Sequence, residues 1–249
     1  MKKLLIALLA APLVALASGG EIHLDKAPDK SGDVAALQNG AKLFTNYCLG
    51  CHSASYFRYN RLKDIGLSEQ QIKDNLLFTA EKTGELMRIG MQREDAKVWF
   101  GAAPPDLTLI ARSRASESGT GPDWLYTYLR TFYRDDSRPT GWNNLAFENV
   151  GMPHVLWELQ GEQVATFEEE DDGHGGKKRH FKGFELVKAG KLKPEEYDAA
   201  VADLVAFLKY IGEPVSELRK TLGWIVLAAL GILFVFTYAL KREYWKDVH

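Results

Sequence analysis

The chain has 249 residues, 46% of them hydrophobic, 26% charged and 11% aromatic, with a formal net charge of −2. That content excludes a disordered chain, and a mean hydropathy of −0.22 excludes a protein of many membrane spans. Two cysteines are too few for a disulfide-stapled scaffold or a zinc site of four thiolates, and no basic patch marks a nucleic-acid partner.

Met1-Lys2-Lys3 precede an apolar run from Leu4 to Ala17, with Ala15-Leu16-Ala17 as a small-x-small cleavage site. This is the pattern of a secretory signal peptide. The run is shorter than the roughly 20 residues that cross a bilayer, so 1–17 is expected to be removed and the bulk of the chain exported. Loss of Lys2 and Lys3 leaves 29 bases against 33 acids, a balance of −4. Residues 18 to 32 are polar without periodicity and read as an extended arm. From Asp33 to Tyr47, Leu37, Ala41 and Phe44 share one helical face, and Gly40 on that face permits another helix to approach closely.

Cys48-Leu49-Gly50-Cys51-His52 follows directly on this helix. Cys-x-x-Cys-His is the attachment signature of a c-type haem. Two thiols three apart can each add to one of the two vinyl groups of a single haem, and the next residue brings an imidazole under the iron. Covalent attachment dispenses with a fully enclosing core and fits export, since this haem is attached outside the cytoplasm. A structural disulfide has no use for His52. A thioredoxin-like pair needs a preceding strand and a βαβ frame, and a zinc site lacks a second ligand pair.

Leu76 to Gln92 and Asp123 to Tyr133 are expected as further helices. Between them Pro104-Pro105-Asp106-Leu107 runs into Arg112 and Arg114. Paired prolines stiffen a loop against a flat ring, and a nearby arginine can neutralise a haem propionate through a bidentate contact. Two exposed basic residues would read the same way. For the second axial ligand there are three methionines after the leader. Met87 and Met91, four apart on the expected helix, suit core packing. Met152 lies in Asn149-Val150-Gly151-Met152-Pro153-His154, where Gly and Pro shape an irregular loop from which a thioether can reach an iron. Met152 is therefore the expected ligand, giving the His/Met set that raises the reduction potential, with His154 the runner-up for bis-imidazole ligation. His23, His174, His180 and His249 are expected in solvated arms or tips.

Val164 to Val187 reads as a β-hairpin with a long glycine-rich tip. Its Glu168-Glu169-Glu170-Asp171-Asp172 run could steer a basic redox partner, but a solvated tip partly cancelled by Lys177-Lys178-Arg179 is the favoured reading. Pro194 to Ile211 is a helix, with Pro194 in its first turn and Tyr197, Val201, Leu204, Leu208 and Ile211 in one stripe closed by Gly212 and Pro214. Thr221 to Leu240 is 20 residues without a charge, about 30 Å of helix, flanked by Arg219, Lys220, Lys241 and Arg242 and by Trp224, Tyr238, Tyr244 and Trp245. It reads as a single transmembrane anchor. The division expected is a signal peptide (1–17), a haem domain (18–215), and an anchor with a short cytoplasmic tail (216–249). The fold class is mainly α, a c-type cytochrome domain with long loops and a hairpin insertion.

These features together resemble the cytochrome c1 family, the haem subunits of quinol–cytochrome c reductase. Cys48 to His52 continues as Ser53-Ala54-Ser55-Tyr56-Phe57-Arg58-Tyr59, Ala103-Pro104-Pro105-Asp106-Leu107 matches the family's proline motif, Asn149 to Pro153 its axial-methionine loop, and one carboxy-terminal anchor closes the chain. The resemblance implies one covalent haem c on Cys48 and Cys51, His52 and Met152 as axial ligands, and Arg114 as the propionate arginine. The family's frequent tyrosine falls near Trp124 here, and the hairpin looks like a bacterial variation. It further implies electron transfer from a Rieske iron–sulfur protein to a soluble c-type cytochrome, beside cytochrome b in a dimeric complex, with the haem domain on the periplasmic side of a bacterial inner membrane. No general acid or nucleophile is called for. The alternatives are a stand-alone anchored cytochrome feeding a terminal oxidase, and a haem enzyme or gas sensor with an open iron site.

Overall fold

A computed structural model describes residues 23–171 and 177–247. The expected leader, His174, His249 and the glycines of the hairpin tip lie outside them. In chain order the elements are α1 (Val34–Leu43), which runs on into a π-turn (Phe44–Cys48), β1 (Ala54–Arg58), a 3-10 turn (Tyr59–Ile65), α2 (Glu69–Asn75), β2 (Leu86–Met87), α3 (Arg93–Phe100), α4 (Ile110–Ser113), α5 (Gly121–Arg130), β3 (Phe132–Arg134), β4 (Trp142–Asn144), α6 (Trp157–Gln160), β5 (Gly161–Asp171), β6 (Lys177–Ala189), α7 (Pro194–Gly212) and α8 (Ser216–Trp245). The strands form three two-stranded antiparallel sheets, β1–β2, β3–β4 and β5–β6. This is a mainly α domain with long loops, a hairpin and a terminal apolar helix.

The core is built where α1 crosses α7. A Cβ at Gly40 would overlap the Asp203 carbonyl oxygen and meet the Phe207 Cβ at 2.6 Å, so only a hydrogen at this position lets the helices touch. Phe44 and Phe207 pack at 5.6 Å between ring centroids, with Phe57 edge-on to Phe207. The stripe from Tyr197 to Ile211 is buried as its spacing predicts. Each such side chain removed from water contributes about 1.5–3 kcal/mol. The arm at 23–30 has neither helix nor strand, turns at 31–32, and is tacked down. The amides of Asp25 and Ala27 donate to Thr127 Oγ1 and Asp123 Oδ1, both at 2.8 Å. Arg130 holds Asp198 with two bonds (2.5 and 2.8 Å) and Asp25 with a third (2.7 Å).

Three expectations are corrected. Leu76–Gln92 is not helical. The backbone at 83–87 pairs instead with β1 and the turn after it: Tyr59 and Asn60 amides donate to the Glu85 and Thr83 carbonyls, and Met87 sits opposite Ala54. The apolar residues there (Leu76, Leu77, Leu86, Met87) lack a 3.6 repeat, so tertiary pairing prevails over propensity. Met87 is fully buried in the core. The helix expected over Asp123–Tyr133 starts earlier, at a Thr120–Asp123 capping box, and stops at Arg130, because Phe132–Arg134 pairs with β4. The hairpin is longer and its strands run nearly to the tip, so Glu168 to Asp171 lie in a strand, in register with Lys177 to His180.

Helix α8 has no buried residue, and its most apolar 18-residue window has a mean hydropathy of 2.2. Its 30 residues span about 45 Å. An apolar surface bare of protein on every side calls for lipid, and this is the one candidate membrane anchor among the described residues.

Candidate haem site

The π-turn delivers the cysteines. At Phe44 the helix widens, and the amide of Leu49 donates to the Phe44 carbonyl at 2.9 Å, five residues back. The chain then tightens, with the amides of Cys51 and His52 both donating to the Cys48 carbonyl at 3.0 and 2.9 Å. Cys48 is buried and Cys51 exposed, and both are free thiols. Burial, helped by the neighbouring Cys51, pushes the Cys48 thiol up to about 12. Redox-exchanging and metal-holding cysteines are shifted the other way, toward thiolate. Two free thiols three residues apart on one turn, one buried and one exposed, suit attachment of a single ligand that lies against the surface.

His52 is 9% exposed, and its Nδ1 lies 2.7 Å from the carbonyl oxygen of Pro105. A carbonyl only accepts, so Nδ1 carries the proton and Nε2 keeps the lone pair. Burial lowers the pKa of the ring, against the bond to Pro105 and the charge of Asp106. The Pro104–Pro105 loop is held by its neighbours. The Leu107 amide donates to the Ser53 carbonyl at 2.8 Å. The Asp106 carboxylate accepts from the amides of Ser55 (2.7 Å) and Thr108 (2.9 Å). Burial opposes the charge on Asp106, but the bonds from Thr108 and Ser55 outweigh it and hold the carboxyl below the usual range. Sequence reasoning passed over Asp106. Its signal was an Asp two residues before Thr in a proline loop, an Asx-turn pattern.

Met152 rides on a loop shaped by two adjacent asparagines on β4, which sequence reasoning also missed. The Asn143 side-chain oxygen accepts from the amide of Asn149 at 2.8 Å, and that of Asn144 from Ala146 and Phe147 at 2.9 and 3.0 Å. Asn149 takes φ +60, a left-handed conformation that asparagine tolerates, and Arg138 holds its side-chain and backbone oxygens at 3.0 and 3.2 Å. The loop leaves Met152 half-buried against the core, with its Sδ accepting from the Tyr128 hydroxyl at 3.3 Å. Trp124 stacks on Tyr128 at 4.8 Å, and the Arg114 guanidinium lies 4.6 Å over Trp124.

Of the expected site residues, the structure thus brings Cys48, Cys51, His52, Pro104 and Pro105 into one group and Met152, Trp124 and Arg114 into another. Arg112 stands apart. It faces Glu213 at 3.8 Å and lines a cavity of about 400 Å³ beneath the arm, with Lys26, Asp29 and Glu217. Neither the motif cysteines, His52 nor Met152 lines that cavity. His154 is 2% exposed, stacked on Phe132 at 4.8 Å and edge-on to Trp142 at 5.0 Å. Burial holds its imidazole down to about 4, with Gln160 opposing part of the shift. Met91 is half-buried just before α3, and His23 is exposed.

A haem c fits this donor set: two free thiols on one turn, a neutral imidazole with Nε2 available, and a thioether on a separately built loop. The comparisons agree. The model of the Cytochrome C1 family matches residues 25–174 and 186–248, leaving a gap in the hairpin. A cytochrome c1 of Allochromatium vinosum is 51% identical over the whole of both chains. A protein of Nitrosomonas europaea named ammonia monooxygenase gamma subunit is 49% identical, over all of this chain and 99% of that one. A cytochrome c1 of Rhodospirillum rubrum is 28% identical, covering 87% of this chain and 83% of its own. A match of this extent makes the chain a member of the cytochrome c1 family, the electron-transfer subunits of the bc1 complex that carry one covalent haem c.

Proposed function

We propose that this chain carries single electrons from a Rieske iron–sulfur protein to a soluble c-type cytochrome, as the haem subunit beside cytochrome b in a dimeric complex. Haem c supplies a one-electron iron couple when bound. Cys48 and Cys51 would hold it by thioethers, and His52 Nε2 and Met152 Sδ would ligate the iron. Pro105 fixes the tautomer of His52, Pro104 and Pro105 form a wall, and Arg114, with Trp124 beneath it, faces a propionate.

The observation that carries this reading is the pair of iron donors. The ring of His52 is committed at Nδ1 and free at Nε2, while Met152 is presented by an independently braced loop. With both donors bound, the iron would have no coordination position left for oxygen or substrate. That separates an electron carrier from a gas sensor or a monooxygenase, the activity in the name of the Nitrosomonas europaea relative. The chain alone is a carrier without a catalytic site of its own, as the redox part of a quinol–cytochrome c reductase.

The leader at 1–17 is removed, the domain at 18–215 stands on the periplasmic side, and 216–249 forms the anchor and a short cytoplasmic tail. Basic residues flank the span on both sides, so the leader sets the orientation. The test is purification from detergent-solubilised membranes. Co-purification with a quinol-oxidising cytochrome b is expected, and its absence would favour a stand-alone cytochrome feeding an oxidase. Met152→Ala in that complex should lower the reduction potential and open the iron to carbon monoxide. An unchanged spectrum would remove Met152 from the iron.

A further inference from the structure

Tyr128 is half of a contact that the electron-transfer reading does not require. It is 9% exposed and sits on α5. Its hydroxyl donates to Met152 Sδ at 3.3 Å, an ordinary length for a sulfur acceptor. The ring is fixed on two sides, by Trp124 stacked at 4.8 Å and 13° and by Phe132 edge-on at 5.0 Å and 69°. The backbone beneath it is fixed as well. Tyr128's carbonyl accepts from Asn144 Nδ2 at 2.7 Å, and the oxygen of that same amide accepts from Ala146 and Phe147 on the way to Met152. One buried side chain, 1% exposed, therefore locks the helix that carries the phenol to the loop that carries the sulfur.

A thioether sulfur has two lone pairs. One can enter a metal bond while the other accepts a hydrogen bond, so ligation and the Tyr128 contact are compatible. Resting on the reading of Met152 as an iron ligand, we infer that Tyr128 is a positioning residue for that ligand. Its hydroxyl selects the Met152 rotamer and draws electron density from the sulfur. A poorer donor stabilises ferric iron less than it does when unpolarised, while ferrous iron is affected little. The hydroxyl therefore raises the reduction potential.

The test is Tyr128→Phe in the full-length holoprotein within its native complex, which removes one oxygen and keeps the ring. The equilibrium with a redox mediator should move about threefold toward the oxidised haem. The weak far-red absorption that marks methionine sulfur on ferric iron should shift in energy. Tyr126→Phe removes a hydroxyl from the same helix at a ring that lies under Arg130, not at Met152, and is expected to leave the potential unchanged. If Tyr128→Phe moves neither the potential nor the band, the inference is overturned while Met152 ligation stands. An equal fall in potential for Tyr126→Phe overturns it too, because loss of a hydroxyl elsewhere on α5 would then suffice. If the wild-type protein lacks the methionine band, or Met152→Ala retains it, the ligand assignment itself has failed.

Discussion

The Nδ1 of His52 donates to the carbonyl oxygen of Pro105 across 2.7 Å, and this one bond links the two most conspicuous motifs in the chain. A proline carbonyl cannot be removed by substitution, but the loop that aims it can be loosened. Asp106→Ala deletes the acceptor for the Ser55 and Thr108 amides. Asp106 is solvent-accessible, so water recovers part of the loss, and a destabilisation of about 1 kcal/mol is expected. The denaturant midpoint of the haem-loaded protein measures it. Loosening the partner of His52 should also broaden the distribution of reduction potentials, read by titration.

Gly40→Ala should be costly. The added methyl meets the Asp203 backbone and the Phe207 Cβ in the fully packed α1–α7 crossing, and overpacking of that kind costs about 1–3 kcal/mol. Gly84→Ala, where nothing lies within 4 Å of the new methyl, is the control and should leave thermal unfolding unchanged.

The attachment of the arm should weaken in acid. Asp123 accepts from Ala27, from both the amide and hydroxyl of Thr120, and has Lys26 nearby. Burial alone would raise its pKa, but the bonds from Thr120 and Ala27 hold it below the usual carboxylate range. A carboxyl depressed in the folded state stabilises fully above its unfolded pKa of about 4, and that contribution disappears as pH falls through the lower folded value. Limited proteolysis of residues 23–32 should therefore accelerate below about pH 4. Asp123→Asn should cleave faster already at neutral pH and show a flatter pH profile.

Asn144→Ala strands a carbonyl and two amides in a buried site, and is expected to cost about 3 kcal/mol. Because the same amide braces the Met152 loop, the proposed ligation by Met152 makes a partial loss of the methionine band in the ferric spectrum the further expected outcome. Asn46→Ala, an exposed asparagine bonded only to its own helix, should do neither.

The acidic strand should prove electrostatically quiet. Glu168 pairs with Lys182, and Glu169 and Glu170 are in register with Arg179 and Lys178. Exposed pairs of this kind are each worth about 0–1 kcal/mol and leave little net field. Neutralising Glu168 and Glu170 together should leave the ionic-strength dependence of electron transfer to a basic cytochrome unchanged. A flattened dependence would reinstate steering by the hairpin.

The sequence alone determined what local chemistry can encode. Cys48 to His52 specifies covalent haem by spacing, the stripe from Tyr197 to Ile211 specifies a helix by period, and the charge-free run from Thr221 to Leu240 specifies a span by length. Gly40 even announced a helix crossing, because a missing side chain on an apolar face has few other uses. Tertiary structure alone decided whatever depends on partners distant in the chain. Leu76–Gln92 lacks a helical repeat, and its second half became a strand and turn because β1 offers its backbone a pairing partner. Arg112 and Arg114, two residues apart, part company because one faces Glu213 and the other the Trp124 ring. The roles of Asp106, Asn144 and Tyr128 were invisible for the same reason: each is defined by a donor or acceptor brought to it by another segment, and sequence spacing carries no record of that meeting.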